Sequence, residues 1–166
     1  GGDALALARL AWLRGHPVSV HPLNDPTTWR GDAAHQARLW EGLGGDYALD
    51  GDGLQGLESF QGWVVDGLFG LGTRLPLEGR ARFWVEALGP GRSRAFHVLA
   101  LDLPSGLDPD LGDVRGPHVQ ADLTACFGAW KRCHALEPAR QACGELHLIP
   151  LPLLGQPDAD LIRIEA

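Results

Sequence analysis

Two aspartates stand where apolar runs end: Trp63-Val64-Val65 leads into Asp66, and Phe96 to Leu101 (FHVLAL) leads into Asp102. If both runs are strands of one parallel sheet, their carboxyl ends meet at the edge where such sheets bind ligands. The alternative for either aspartate alone is a turn cap, a common role for Asp after a strand. Two at equivalent strand ends, each followed closely by a glycine-containing loop, shift the balance toward a site. After Asp66 come Gly67-Leu68-Phe69-Gly70-Leu71-Gly72-Thr73-Arg74-Leu75-Pro76, whose glycines let backbone amides approach a ligand without obstruction from a Cβ. Such a loop could cradle a phosphate, and Arg74 could grip it bidentately. The loop matches neither the Walker lysine loop nor the full dinucleotide fingerprint.

The second segment, Asp102-Leu103-Pro104-Ser105-Gly106-Leu107-Asp108, puts a hydroxyl three residues after a carboxylate, in a turn stiffened by proline and freed by glycine. Ser105 lacks a glycine two residues before it, so this is not the nucleophile elbow of hydrolases, and no histidine has a sequence-defined claim to be its base. Oxygen atoms around Ser105 better suit a hard monovalent or divalent cation, with a simple ST-turn as the plain alternative. Lys131 is the only lysine among fourteen basic side chains, which suggests a position where a guanidinium would not serve. The seven histidines show no ligand spacing and read as surface or strand residues.

These groups need a scaffold. Ala4 to Arg14 carries leucines at helical spacing and is followed by Gly15 as a C-cap. Pro17 to Pro22 (PVSVHP) alternates and predicts a strand; Thr27 to Leu43 predicts a helix, and 46–62 a loop. Between the strands ending at Asp66 and Asp102, Ala81 to Leu88 predicts a helix, and strand, helix, strand makes a parallel pair. Ala121 to Phe127 and Glu145 to Ile149 predict further strands, with Leu161 to Ile164 as an edge candidate. The alternation predicts a three-layer α/β/α, Rossmann-like fold around a mostly parallel central sheet.

With 166 residues the chain suits one domain, and 45% hydrophobic with 21% charged residues describes a globular protein. A net charge of -7 without clustered Lys and Arg disfavours nucleic acid. No apolar run approaches the roughly 20 residues of a membrane span. Cys126, Cys133 and Cys143 form no CxxC pair and read as reduced thiols of a cytoplasmic protein. The chain opens on Gly1-Gly2-Asp3 without an initiator methionine, which reads as a missing stretch at the front. Residues 153–166, with Pro157, read as a terminal strand or linker after a domain of 1–152.

Val64-Val65-Asp66-Gly67-Leu68-Phe69-Gly70, then Leu101 to Asp108, Ala121-Asp122-Leu123-Thr124, Lys131, and Gly144-Glu145-Leu146 resemble, in order, the successive signatures of the NAD(P)H-hydrate epimerase family. Gly1-Gly2-Asp3 resembles the end of that family's Asn-Asn-Gly-Gly-Asp loop. The resemblance runs from residue 1 to about Leu151, and the DxPSGLD block is its most specific piece. Two departures stand out: the tandem asparagines are absent, and Ala4 occupies a position where glycine is usual.

The resemblance implies an isomerase that interconverts the R and S forms of hydrated NADH or NADPH at C6, in nicotinamide nucleotide repair. It implies nucleotide contacts from Gly1, Gly2, Asp3, Gly70, Leu71, Gly72, Thr73, Arg74, Leu75, Pro76 and Asp102, and a potassium ion held by Asp66 and Ser105. Asp66 is the first candidate for the acid/base, and Lys131 the second, as a charge that stabilises the moving oxygen. It further implies a homodimer and an ATP- or ADP-dependent dehydratase, fused or separate. The competing readings are a non-catalytic nucleotide-binding or scaffolding module on the same fold, and a Ser105 hydrolase.

Overall fold

Glycine and proline divide this chain into short elements. The computed structural model describes residues 1–49, 54, 56–71, 75–93 and 95–151. In chain order the elements are α1 (Gly2–Leu13), α2 (Gly31–Gly42), β1 (Gly62–Asp66), α3 (Gly79–Ala87), β2 (Phe96–Leu101), β3 (Leu123–Phe127), α4 (Ala139–Ala142) and β4 (Glu145–Ile149). Single 3-10 turns stand at Pro26–Thr28, Leu57–Ser59 and Arg132–His134. Two compact units result, Gly1–Ser59 and Phe60–Ala166.

In the first unit, Leu5 of α1 meets Ala37 and Trp40 of α2, and Val18, Val20, Trp29 and Tyr47 close around them. The leucine spacing of α1 serves this contact, and Gly15, at φ 81, ends the helix as expected. The strand expected from Pro17 to Pro22 is not formed. Only a parallel bridge between Val20 and Tyr47 appears there. The four residues between the prolines keep their N–H groups, but a single facing residue, Tyr47, gives them no neighbouring strand on which to build a ladder, and the prolines stop it from lengthening.

In the second unit, β1 to β4 form one sheet in the order β1-β2-β3-β4, every neighbouring pair parallel. Strand β2 is the most buried, with Phe96, Val98 and Ala100 at 2% exposure or less. Helix α3 makes the predicted crossover between β1 and β2. The connection from β2 to β3 holds no helix, because Pro104, Gly106, Pro109, Gly112, Gly116 and Pro117 interrupt it repeatedly. It is anchored instead by Leu103 and Leu107, which enter a core with Cys133, Ala139, Ala142 and Cys143. All three cysteines are unpaired and buried. The edge strand expected at Leu161 to Ile164 lies outside the described residues, and no helix among those described is long and apolar enough to cross a membrane.

At the amino end of the sheet, the Arg92 guanidinium donates to the carbonyls of Ser93 (2.9 Å), Phe96 (2.9 Å) and Gln120 (3.3 Å) and pairs with Asp122. Asp122 Oδ2 also accepts from Val98 N at 2.7 Å. One buried cation therefore ties the entry of β2 to the entry of β3. Breaking a buried pair costs ~3–5 kcal/mol, less where one partner is wetted, as Asp122 is at 27% exposure. Arg92→Met is expected to lower unfolding free energy by about 2–3 kcal/mol in urea titrations, and Arg92→Met with Asp122→Asn by less. A single-variant loss below ~1 kcal/mol would show that the pair is not a staple.

Candidate active site

The sheet register brings three strand ends together. Asp66, the last residue of β1, lies opposite Ala100 of β2; Asp102 follows β2 directly; and Ala125, near the end of β3, pairs with Leu101. The two aspartates thus leave adjacent parallel strands at the same edge, as their sequence positions predicted.

Asp66 is 1% exposed. Its Oδ2 accepts from the Ser105 amide at 2.7 Å, while Oδ1 accepts from the Ser105 hydroxyl at 2.7 Å and the Leu68 amide at 3.3 Å. Burial raises its carboxyl pKa, and the donors from Ser105 and Leu68 oppose that shift. Ser105 Oγ accepts in turn from Phe69 N at 3.2 Å, so the loop after β1 is stitched to the turn after β2. The turn itself is rigid. Ser105 O accepts from Val119 N at 2.9 Å, and Gly106 sits at φ 99, where a Cβ would lie 2.5 Å from the Pro117 carbonyl oxygen. Asp108 serves only its own turn, accepting from Asp110 N at 3.0 Å and Leu111 N at 2.9 Å. The motif's polar side chains therefore divide the work: Ser105 joins the two loops, and Asp108 closes the bend.

Asp102 has a different partner. It adopts φ 70, a left-handed conformation that Asp tolerates better than most residues, and its N–H donates to Ala125 O at 2.8 Å. Its Oδ1 accepts from Phe127 N at 3.1 Å and from the Lys131 ammonium. Lys131 Nζ also donates to Phe127 O at 2.9 Å and contacts Cys126 Sγ at 3.7 Å. With side-chain exposures of 15% for Lys131 and 17% for Asp102, this is a largely covered pair open on one side. Lys131 is thus not an ordinary surface lysine. An ammonium held in this way can donate to an oxygen that gains negative charge, in surroundings that screen it less than water does.

His134 corrects the expectation that the histidines lie at the surface or in strands. It is 3% exposed, and its Nδ1 accepts from Lys131 N at 3.1 Å. Desolvation by burial lowers its pKa to about 4, with the neighbouring Lys131 charge adding to the shift. Its spacing, three residues after the sole lysine and within reach of that residue's amide, was the available signal. Cys126 and the Phe127 backbone, which also hold Lys131, carried none.

The remaining predicted positions lie in both units. Gly1 caps α1 and Asp3 lies in its first turn, within the first unit, alongside Gly2. Gly70 and Leu71 are exposed after the Asp66 loop, Leu75 and Pro76 resume the described chain, and Gly72, Thr73 and Arg74 lie outside the described residues.

Residues 1–133 match the family described as YjeF-related protein N-terminus. The chain belongs to this family. It is 34% identical over 154 residues to the bifunctional NAD(P)H-hydrate repair enzyme Nnr of Thermosynechococcus vestitus, covering 92% of this chain and 28% of that protein. It is 35% identical over 161 residues to the NAD(P)H-hydrate epimerase of Rhodopirellula baltica, covering 94% of this chain and 65% of that one. The chain therefore spans less than two thirds of the length of either relative. The crystal structure of yeast ynu0 superposes with a TM-score of 0.68 at 20% identity, over 84% of this chain and 58% of that one. The fold is the three-layer α/β/α, Rossmann-like class that the element order predicted, its described sheet parallel throughout.

Removing the Ser105 hydroxyl leaves Asp66 Oδ1 short of a donor and Phe69 N short of an acceptor, both at buried or half-buried positions. Ser105→Ala is expected to destabilise the protein by ~1–3 kcal/mol. Amide exchange should accelerate first at 67–69; unchanged exchange there would mean the stitch carries no load.

Proposed function

We propose that this chain, as a domain of residues 1–152, epimerises hydrated NADH and NADPH at C6 of the reduced ring. The observation that carries the reading is the Lys131 ammonium, held by Asp102 and Phe127 O at the strand ends and still partly open to solvent. The family relatives whose names include NAD(P)H-hydrate epimerase support the same substrate.

C6 of the hydrate carries both a hydroxyl and the ring nitrogen. The nitrogen lone pair expels the hydroxyl, the C6–O bond breaks, and the oxygen leaves as water once it has received a proton. Water then adds to the other face of the C6=N bond and returns a proton to the protein, so that the step balances with inversion at one carbon. Lys131 donates to the departing oxygen and takes the proton back in this reading; Asp102 orients the ammonium and offsets its charge. Asp66, whose two oxygens both accept from Ser105, is assigned to holding the site together and facing a cation rather than to moving the proton.

The donor chemistry fits potassium. Asp66 and Ser105 offer only oxygen atoms, and the Asp66 carboxylate is buried among neutral hydrogen-bond donors, so a monovalent cation would offset its burial. When bound, the ion supplies positive charge beside that carboxylate. Gly1, Gly2, Asp3, the loop Gly70 to Pro76 and Asp102 are proposed to contact the nucleotide, with loop amides and Arg74 at its phosphates. A homodimer, a dehydratase fused or separate, and a cytoplasmic setting complete the reading.

The test follows each separated hydrate epimer by chromatography as it approaches equilibrium. The protein is expected to accelerate equilibration in potassium more than in sodium buffer. Lys131→Ala and Asp102→Asn should each lower kcat by about 10²–10³-fold. A wild-type protein that binds the hydrate without interconverting its epimers is instead a nucleotide-binding module, and full activity in Lys131→Ala would move the chemistry elsewhere.

A further inference from the structure

We infer that His134 is a positioning residue for this reaction, a buried imidazole that closes the turn carrying Lys131 and so fixes the backbone from which the ammonium reaches the Asp102 carboxylate. The inference rests on the epimerase reading and adds to it a residue that touches neither substrate nor cation.

The ammonium of Lys131 stands at the end of four methylenes, so the direction of its Cα governs where Nζ can reach. That direction is set locally. After β3 the chain reverses at Gly128, φ 73, whose N–H donates to Ile149 O at 2.9 Å, and Lys131 then adopts an extended conformation at φ -93, ψ 159. Two hydrogen bonds close the turn: Lys131 N donates to His134 Nδ1 at 3.1 Å, and His134 N donates to Lys131 O at 3.0 Å. The first requires Nδ1 to be an acceptor, which places the ring proton on Nε2. Nε2 is buried and has no hydrogen-bond partner among the described residues. The imidazole therefore acts on the Lys131 turn, through Nδ1. Trp130 packs edge-on against it, with ring centroids 5.7 Å apart.

The charged groups facing the ring are Lys131 on its own turn, Asp102 after β2 and Arg140 of α4. Burial and the two cations disfavour an imidazolium, while Asp102 favours it; the balance keeps the ring neutral down to about pH 4. Protonation would convert Nδ1 from acceptor to donor and break its bond to the Lys131 amide. Because the folded-state pKa lies below that of the unfolded chain, near 6.5, the stabilising contribution is complete above about pH 6.5 and is lost as the pH falls toward about 4.

Three variants separate positioning from bulk. Asn at this position keeps an acceptor near Nδ1, Gln keeps a donor near Nε2, and Leu keeps neither. His134→Leu is expected to lower kcat about 10- to 100-fold with KM changed by less than about threefold, the pattern of a misplaced catalytic group. His134→Asn should recover most of that kcat, and His134→Gln should recover less. In urea titrations the wild type should lose stability between pH 6.5 and 4 more steeply than His134→Asn, a measurement that needs no activity. If the wild type epimerises the hydrate and all three variants match its kcat, the positioning role is overturned while the epimerase reading stands. Equal pH dependence in wild type and His134→Asn would overturn it as well, and a wild type without activity would overturn the epimerase reading instead.

Discussion

The bonds between Asp66 and Ser105 are the constraint on which the rest of the site depends. They join the loop leaving β1 to the turn leaving β2, two segments 39 residues apart in the chain. Parallel neighbours must both present their carboxyl ends at one edge, but nothing in strand pairing decides how the following loops run. A carboxylate with two short hydrogen bonds from one serine decides it. Once Ser105 is placed, Gly106 can make its close approach to Pro117, Leu103 and Leu107 can enter the core, and Asp102 is left facing β3.

The second layer of organisation is electrostatic. Asp66 and Asp102 occupy equivalent strand ends yet live in opposite surroundings. Asp66 is enclosed, fed by neutral donors, and pushed toward its protonated form by burial. Asp102 shares its charge with Lys131 and keeps some access to solvent. Two carboxylates in different environments can hold different duties. The left-handed backbone of Asp102 fits this division, since conformations of this kind persist only where surrounding bonds over-determine them. Here those bonds are its amide to Ala125 and its carboxylate to Phe127 N and Lys131.

Much of this was legible in the residues. The runs ending at Asp66 and Asp102, the helix between them, and β4 are local patterns, and local hydrophobic periodicity survives folding because each strand or helix buries one face. The PVSVHP segment shows the limit of that reasoning: its alternation is sound, but a ladder needs a partner strand beside it, and a single facing residue does not supply one. The stretch between β2 and β3 carries no periodicity at all. Its form comes from side-chain bonds to distant residues, which no window of sequence contains.

By itself, the sequence determined the order of the elements, the aspartates at two strand ends, the glycine and proline that shape the DLPSGLD turn, and the singular status of Lys131, because these depend on residue type and near neighbours. Only the tertiary structure decided that Ser105 belongs to Asp66, that Lys131 belongs to Asp102, and that His134 lies buried behind them. The reason is physical: hydrogen bonds and ion pairs reach only about 3 Å, so which groups meet depends on how separate strands are laid side by side, and burial, which sets the charge each group carries, exists only once they are.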